Sequence, residues 1–240
     1  GSGATETLAY RRALAESGRA TAADRAAYLR TAIRAGRLDW ADEFLKKIGI
    51  SGRSDPEVAV IAADLLRLRG EPEKARQLEA ESAAAAKAGE EGKATLLSAR
   101  GLLDSPDPAV RAKARADLFR LAKTKQPEAR DAMRLIAASP DRTESETQEL
   151  VKLLEGDPKA AAGDRLLAKS LLLEIHPDWR GAVLEEAKKL YAGGPEEERL
   201  ALAEFLLRYG DADGVLALPA VRKGRPFLLR LDALARLGRW

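Results

Sequence analysis

The sequence predicts an all-α fold, an α-solenoid of about six antiparallel helix pairs plus a final helix. Three observations predict it. Helix-ending turns recur 34 residues apart at Gly36, Gly70 and Asp104, and again near Pro140, at Pro177 and at Gly210. Between the turns, apolar residues fall at spacings of three and four, which puts them on one face of a helix. No segment alternates apolar and polar residues as a half-buried strand does.

Each element has its own local reason. Thr21 caps a helix through "AADRAAYLRTAIRA", with Tyr28, Leu29, Ala32 and Ile33 on one face and Gly36 at its end. The next helix carries Trp40, Ala41, Phe44, Leu45 and Ile48, and Gly49, Gly52 and Pro56 form a connector. Asp55 and Pro56 are a cap and a first-turn proline for a helix with Val58, Ile61, Leu65, Leu66 and Leu68, stopped by Gly70. Glu71 and Pro72 open a helix through Ala75 and Leu78 that Gly89 and Gly92 are expected to break. A helix with Leu96, Leu97, Leu102 and Leu103 follows, and Ser105, Pro106 and Pro108 start the next.

Pro127 opens "EARDAMRLIAAS", which Pro140 ends, and Thr143 with Glu146 forms a capping box for its successor. Gly156 and Pro158 separate that helix from "AAGDRLLAKSLLLEI". Pro177, Asp178 and Trp179 lead into "RGAVLEEAKKLYAG", and Gly193, Gly194 and Pro195 break the chain before "EEERLALAEFLLRYG". A short segment interrupted by Pro219 precedes the last helix, "FLLRLDALARLG". Gly1, Ser2 and Gly3 read as an expression scar, so the array is assigned to 4–240, and both ends read as boundaries within a longer protein.

The bulk numbers exclude several classes. Hydrophobic residues make up 45% and charged residues 33% of the 240, too apolar for a disordered chain. No apolar run is long enough for a transmembrane helix, so membrane insertion is not expected. Cysteine is absent, which removes disulfides, thiol catalysis and zinc–cysteine sites and leaves the compartment, cytoplasmic or periplasmic, undetermined. A net charge of +3 of mixed sign is not the profile of a dedicated nucleic-acid binder. Abundant alanine, and arginine in preference to lysine, point to a GC-rich bacterial gene.

The turn segments "AGRLDWADEFL", "RGEPEKARQL" and "YGDADGVLAL" resemble the junction between the two helices of a tetratricopeptide repeat. In that family a glycine closes the first helix and a small residue sits five places on, where the helices cross. Here Gly36 is followed by Ala41, Gly70 by Ala75 and Asp104 by Ala109. The register departs at Val215 after Gly210, at Ser145 after Pro140, and at Gly181 and Ala182 after Pro177. The resemblance covers most of 20–240, is strongest over 20–110 and 195–240, and implies a right-handed superhelix.

No constellation carries chemistry. The one histidine, His176, is expected to face the carbonyls of a helix end, since neither Glu174 nor Asp178 gives a helical metal-ligand pair with it. Neither a nucleophile elbow nor a phosphate-binding loop occurs. The acid pairs Glu196–Glu198, Glu185–Glu186 and Glu90–Glu91 read as helix starts and solvated surface. No catalytic residue, cofactor site or metal site is therefore assigned. Two basic clusters, Arg111 to Arg130 and Arg222 to Arg230, read as solvated faces balanced by acids such as Glu144, Glu146 and Glu149. Trp40, Trp179 and Trp240 follow turns and are expected to fill gaps between helices.

The functional expectation is a non-catalytic scaffold that binds a peptide or partner domain on a concave face lined by the first helix of each pair. The register puts Arg30, Arg34, Asp64, Arg67, Ser98, Glu204 and Arg208 on that face. The alternatives are a structural or regulatory arm of a larger enzyme or assembly and, more weakly, nucleic-acid binding through the basic clusters.

Overall fold

The computed structural model describes residues 2–53, 55–86, 89–157, 160–221 and 223–239, and the side chains of 2–6, 50 and 51 are left aside. Among these residues every regular element is helical. The chain divides into two compact units, 1–141 and 142–240.

The first unit holds α1 (Ser2–Glu16), α2 (Ala22–Arg34), α3 (Leu38–Arg53), α4 (Pro56–Leu68), α5 (Pro72–Ala84), α6 (Glu91–Leu103), α7 (Pro108–Ala122) and α8 (Ala129–Ala138). Each packs on its neighbour in sequence, and α2 also packs on α4, α4 on α6, and α6 on α8. That is a solenoid-like arrangement, with contacts confined to near neighbours. Tyr28, Leu29 and Phe44 are fully buried, and the Tyr28 and Phe44 rings meet edge to face with centroids 4.9 Å apart. Farther along, Leu97, Leu118 and Ile136 are buried in turn. Each such leucine contributes about 2 kcal/mol by leaving water.

The second unit holds α9 (Glu144–Gly156), α10 (Ala162–Ile175), a 3-10 turn at Pro177–Trp179, α11 (Arg180–Tyr191), α12 (Glu196–Arg208), α13 (Ala212–Ala217) and α14 (Gly224–Arg236). Leu202, Phe205 and Leu206 of α12 sit at its centre, with Val183, Leu184 and Ala187 of α11 on one side and Val215 of α13 on the other.

Local signals set the helix boundaries. Thr21 and Thr143 each form a capping box, with Asp24 and Glu146 respectively. Asp55 and Asp107 cap helices whose first residue is proline. Gly70 shows how the junctions turn. It sits at φ 76°, its N–H donates to the Arg67 carbonyl (3.0 Å), and the Glu71 N–H donates to the Leu66 carbonyl (2.9 Å). This paired closure needs a left-handed residue, which favours glycine. The same pair of bonds closes α2 at Gly36, α12 at Gly210 and α14 at Gly238.

The N-terminal segment, with no separate element expected from sequence, is helical as α1, because Leu8 and Ala15 find a buried face against α2. Three expectations are corrected. Gly49 (φ 67°) kinks α3, yet a last helical turn follows it, so Gly52 is inside the helix. Gly92 does not break the chain: it is buried in the first turn of α6, where a Cβ would stand 2.5 Å from Gln126 Oε1. The crossing residue five places after the junction is buried at Ala41, Ala75 and Val215, but Ala109, Ser145, Gly181 and Ala182 are exposed. Pro158 lies outside the described residues.

Candidate functional site

The junction glycines define a common register. The sixth and second residues before each one share a helix face: Arg30 and Arg34 on α2, Asp64 and Leu68 on α4, Glu204 and Arg208 on α12. Ser98 stands six places before Asp104 on α6. Six of the seven predicted residues therefore hold equivalent register positions, Arg30, Arg34, Asp64 and Ser98 in the first unit and Glu204 and Arg208 in the second, and Arg67 lies one position to the side.

The stripe divides by charge pairing. Arg30, Arg34 and Arg208 are exposed, and among the described residues their guanidinium groups hold no ion pair. Glu204 accepts from Arg225 Nε of α14 at 2.5 Å. Asp64 accepts from Arg100 of α6. Arg67 is not a surface group awaiting a partner. Its two terminal nitrogens grip the Glu79 carboxylate at 2.9 and 2.7 Å, and Nε bonds Asp104 at 2.8 Å.

Glu79 is wholly buried, and Arg100 Nε approaches it at 3.4 Å. A buried carboxylate is tolerated only when paired and hydrogen-bonded. Its bond, more than any other contact, holds the Arg67 guanidinium protonated beyond its ordinary range. A Cβ at Gly101 would lie 3.2 Å from Glu79 Oε2, so α6 leaves room for the carboxylate by lacking a side chain there. Glu57 and Lys93 (3.4 Å) extend these contacts into a ladder of ion pairs between α4 and α6. Asp64 and Arg67 are thus both engaged in ion pairs between helices, Asp64 with its side chain half exposed and Arg67 on the buried Glu79.

Ser98 lines two hollows that flank α6. One, of about 590 Å3, lies against α7 and includes Thr95, Asp117, Arg120 and Thr124. The other, of about 510 Å3, lies against α5 and includes Glu73, Arg76, Gln77 and Ala80. Their floor is small: Ala94, Thr95, Ser98 and Gly101.

The two basic clusters are largely engaged. Arg111 pairs with Asp141 and donates to the Ser105 carbonyl (2.7 Å), Arg115 is 4% exposed, and Arg120 pairs with Asp117. Arg230 donates to the Leu216 and Leu218 carbonyls at 2.9 and 3.3 Å. Acids that pair with the first cluster include Asp117 and Asp141. Arg222 and Trp240 lie outside the described residues.

The other singled-out residues fall into packing roles. His176 is the C-cap of α10, and its ring stacks on Trp179 with centroids 4.2 Å apart. Trp179 is 51% exposed and fills no gap between helices. Trp40 packs on the first core with Arg37 over its ring at 3.9 Å and Arg12 at 5.3 Å. Glu185 pairs with Lys188, and Glu186 with the nearly buried Lys169 at 2.9 Å.

Among the described residues, no group of three or more His, Asp or Glu side chains is placed to hold a metal ion, and no helix is long and apolar enough to cross a membrane. No protein-family model matches the chain, and neither a curated protein nor a solved structure matches it.

Proposed function

We propose that the chain is a non-catalytic protein-interaction scaffold of tetratricopeptide-like helix pairs, and that its first-helix stripe receives a peptide or partner domain. One observation supports this above the rest: Arg30 and Arg34 are neighbours one turn apart on α2, exposed, and without an ion pair among the described residues. Like charges at this spacing repel by a few tenths of a kcal/mol. At the equivalent positions of α4 and α12, Asp64 and Glu204 are neutralised by Arg100 and Arg225. Nothing comparable relieves α2, and carboxylates from a partner would, through the paired N–H geometry of arginine.

Leu68 strengthens the reading. It occupies the Arg34 position on α4, the helix packed beside α2, and is 63% exposed. Two cations and a leucine suit a partner segment that mixes acids with an apolar anchor. Nucleic acid is a poorer fit, since most arginines of the basic clusters are engaged in ion pairs or carbonyl bonds.

The experiment compares wild type with the Arg30→Glu/Arg34→Glu variant as bait for the partner recovered from the source cell. The variant should lose the partner while keeping its helical circular dichroism. Equal recovery by both baits would remove α2 from the binding surface. Arg67 does not belong in this variant, because reversing it would place two carboxylates together in a buried site.

A further inference from the structure

We propose that the face of α2 and α3 beneath α1 is a helix-docking site, occupied within the chain by α1 and filled in a complex by a partner helix of the same pattern that offers Tyr28 a hydrogen-bond acceptor. The site does not depend on the Arg30 and Arg34 stripe, and it adds a second partner class to the scaffold reading.

The occupant of this face is α1 itself. Leu8 and Ala15, two turns apart, share a core with Tyr28 and Leu29 of α2 and Phe44 of α3. Arg12 reaches Glu43 of α3 at 3.6 Å and lies over the Trp40 ring, and Glu16 accepts from Lys47 at 2.8 Å. The face is therefore already complementary to a helix with two apolar residues inward and an arginine and a glutamate at its edge. Yet α1 is held loosely. Its Tyr10 and Leu14 are exposed, so Leu8 and Ala15 alone among its described apolar side chains leave water. Its ion pairs to α3 are partly exposed and contribute little.

Tyr28 selects the partner's chemistry. Its side chain is fully buried, yet its hydroxyl has no hydrogen-bond partner among the described residues. Burial pushes its phenol up, and Arg12 and Glu16 of α1 and Glu43 of α3 are near enough to act on it. Between Leu8 and Ala15, the α1 residues that turn partly inward are the half-buried Arg11 and Arg12. A guanidinium has donors and no acceptor, so neither can take the Tyr28 proton. A buried donor left unpaired costs its full desolvation, which an acceptor relieves. A partner helix with glutamine at the Arg12 position, between the same two apolar residues, supplies that acceptor. Glu43 acts on the same hydroxyl, so a neutral amide suits the site better than a second carboxylate.

The test uses the full chain and two labelled synthetic peptides, one with the sequence of residues 1–17 and one identical but for Arg12→Gln. An added helix competes with α1 held on the chain at an effective concentration on the order of millimolar. Leu8→Ala and Ala15→Glu in the chain each loosen the resident helix, so fluorescence anisotropy should show both peptides binding these variants about tenfold or more tighter than wild type. The peptides are then compared on Leu8→Ala and on Leu8→Ala/Tyr28→Phe. The affinity ratio favouring glutamine should be about fivefold larger where Tyr28 keeps its hydroxyl. This comparison cancels the ion pairs lost with Arg12. Helical circular dichroism close to wild type establishes that the variants fold. Absence of binding to both loosened variants, or a ratio unmoved by Tyr28→Phe, would overturn the proposal. Arg30→Glu/Arg34→Glu should leave both peptide affinities unchanged. A failure here, with that variant still losing its partner, would remove the α1 site and keep the α2 stripe.

Discussion

Glu79 shows how a charge can look available in the sequence and be committed in the fold. It lies four residues after the crossing residue Ala75 and three before the buried Ser82, a core-facing spacing for an acid. Arg67 of α4 and Arg100 of α6 converge on it from either side. Removing one partner of a buried ion pair costs far more than the pair itself contributes, because the other charge is stranded. Arg67→Met should therefore cost about 3 kcal/mol in urea unfolding. Arg30→Met, which strands nothing, should stay within about 0.5 kcal/mol. Equal effects would mean that Glu79 is not held by Arg67. Arg67 is also where sequence reasoning misassigned a side chain. Its position on the helix was legible, but its direction depended on an acid twelve residues away on a different helix.

At the scale of elements, caps and junctions were legible because their causes are local. Thr143 with Glu146, Asp55 with Pro56, and the glycines at 36, 70 and 210 each specify their turn within a few residues. The α1 helix was not legible, since its reason to fold is the face of α2 and the charges of α3. Glu16 of α1 accepts from Lys47 of α3 at 2.8 Å and from Arg12 at 2.9 Å. The Lys47 bond, then the Arg12 bond, hold the Glu16 carboxyl below the ordinary carboxylate range. A depressed folded value stabilises above the unfolded value, and that stabilisation disappears as pH falls through the folded one. Amide protection factors in α1, corrected for the intrinsic exchange rate, should fall on acidification through that window, ahead of those in α4. Glu16→Gln should flatten the dependence, and an unchanged dependence would remove Glu16 as its cause.

At the scale of the molecule, the 34-residue period foretold an all-helical chain whose helices pack on near neighbours, and both units are built so. The period did not foretell which stripe residues would be spent on packing. Ion pairs such as Asp64–Arg100 and Glu57–Lys93 join residues 36 apart, close to the repeat length, but nothing in either helix alone marks them as partners. Which stripe residues stay without an ion pair, Arg30 and Arg34 among them, could therefore be read only with the helices in place. Neighbour-only packing also means that stability should be local within a unit. The most direct measurement is native-state amide exchange on Leu29→Ala, a cavity in a fully buried site that should cost about 3 kcal/mol. Protection should be lost in α1 to α4, with α7 and α8 unchanged. Equal loss of protection in α7 and α8 would mean that the first unit shares one core, and would contradict neighbour-only packing.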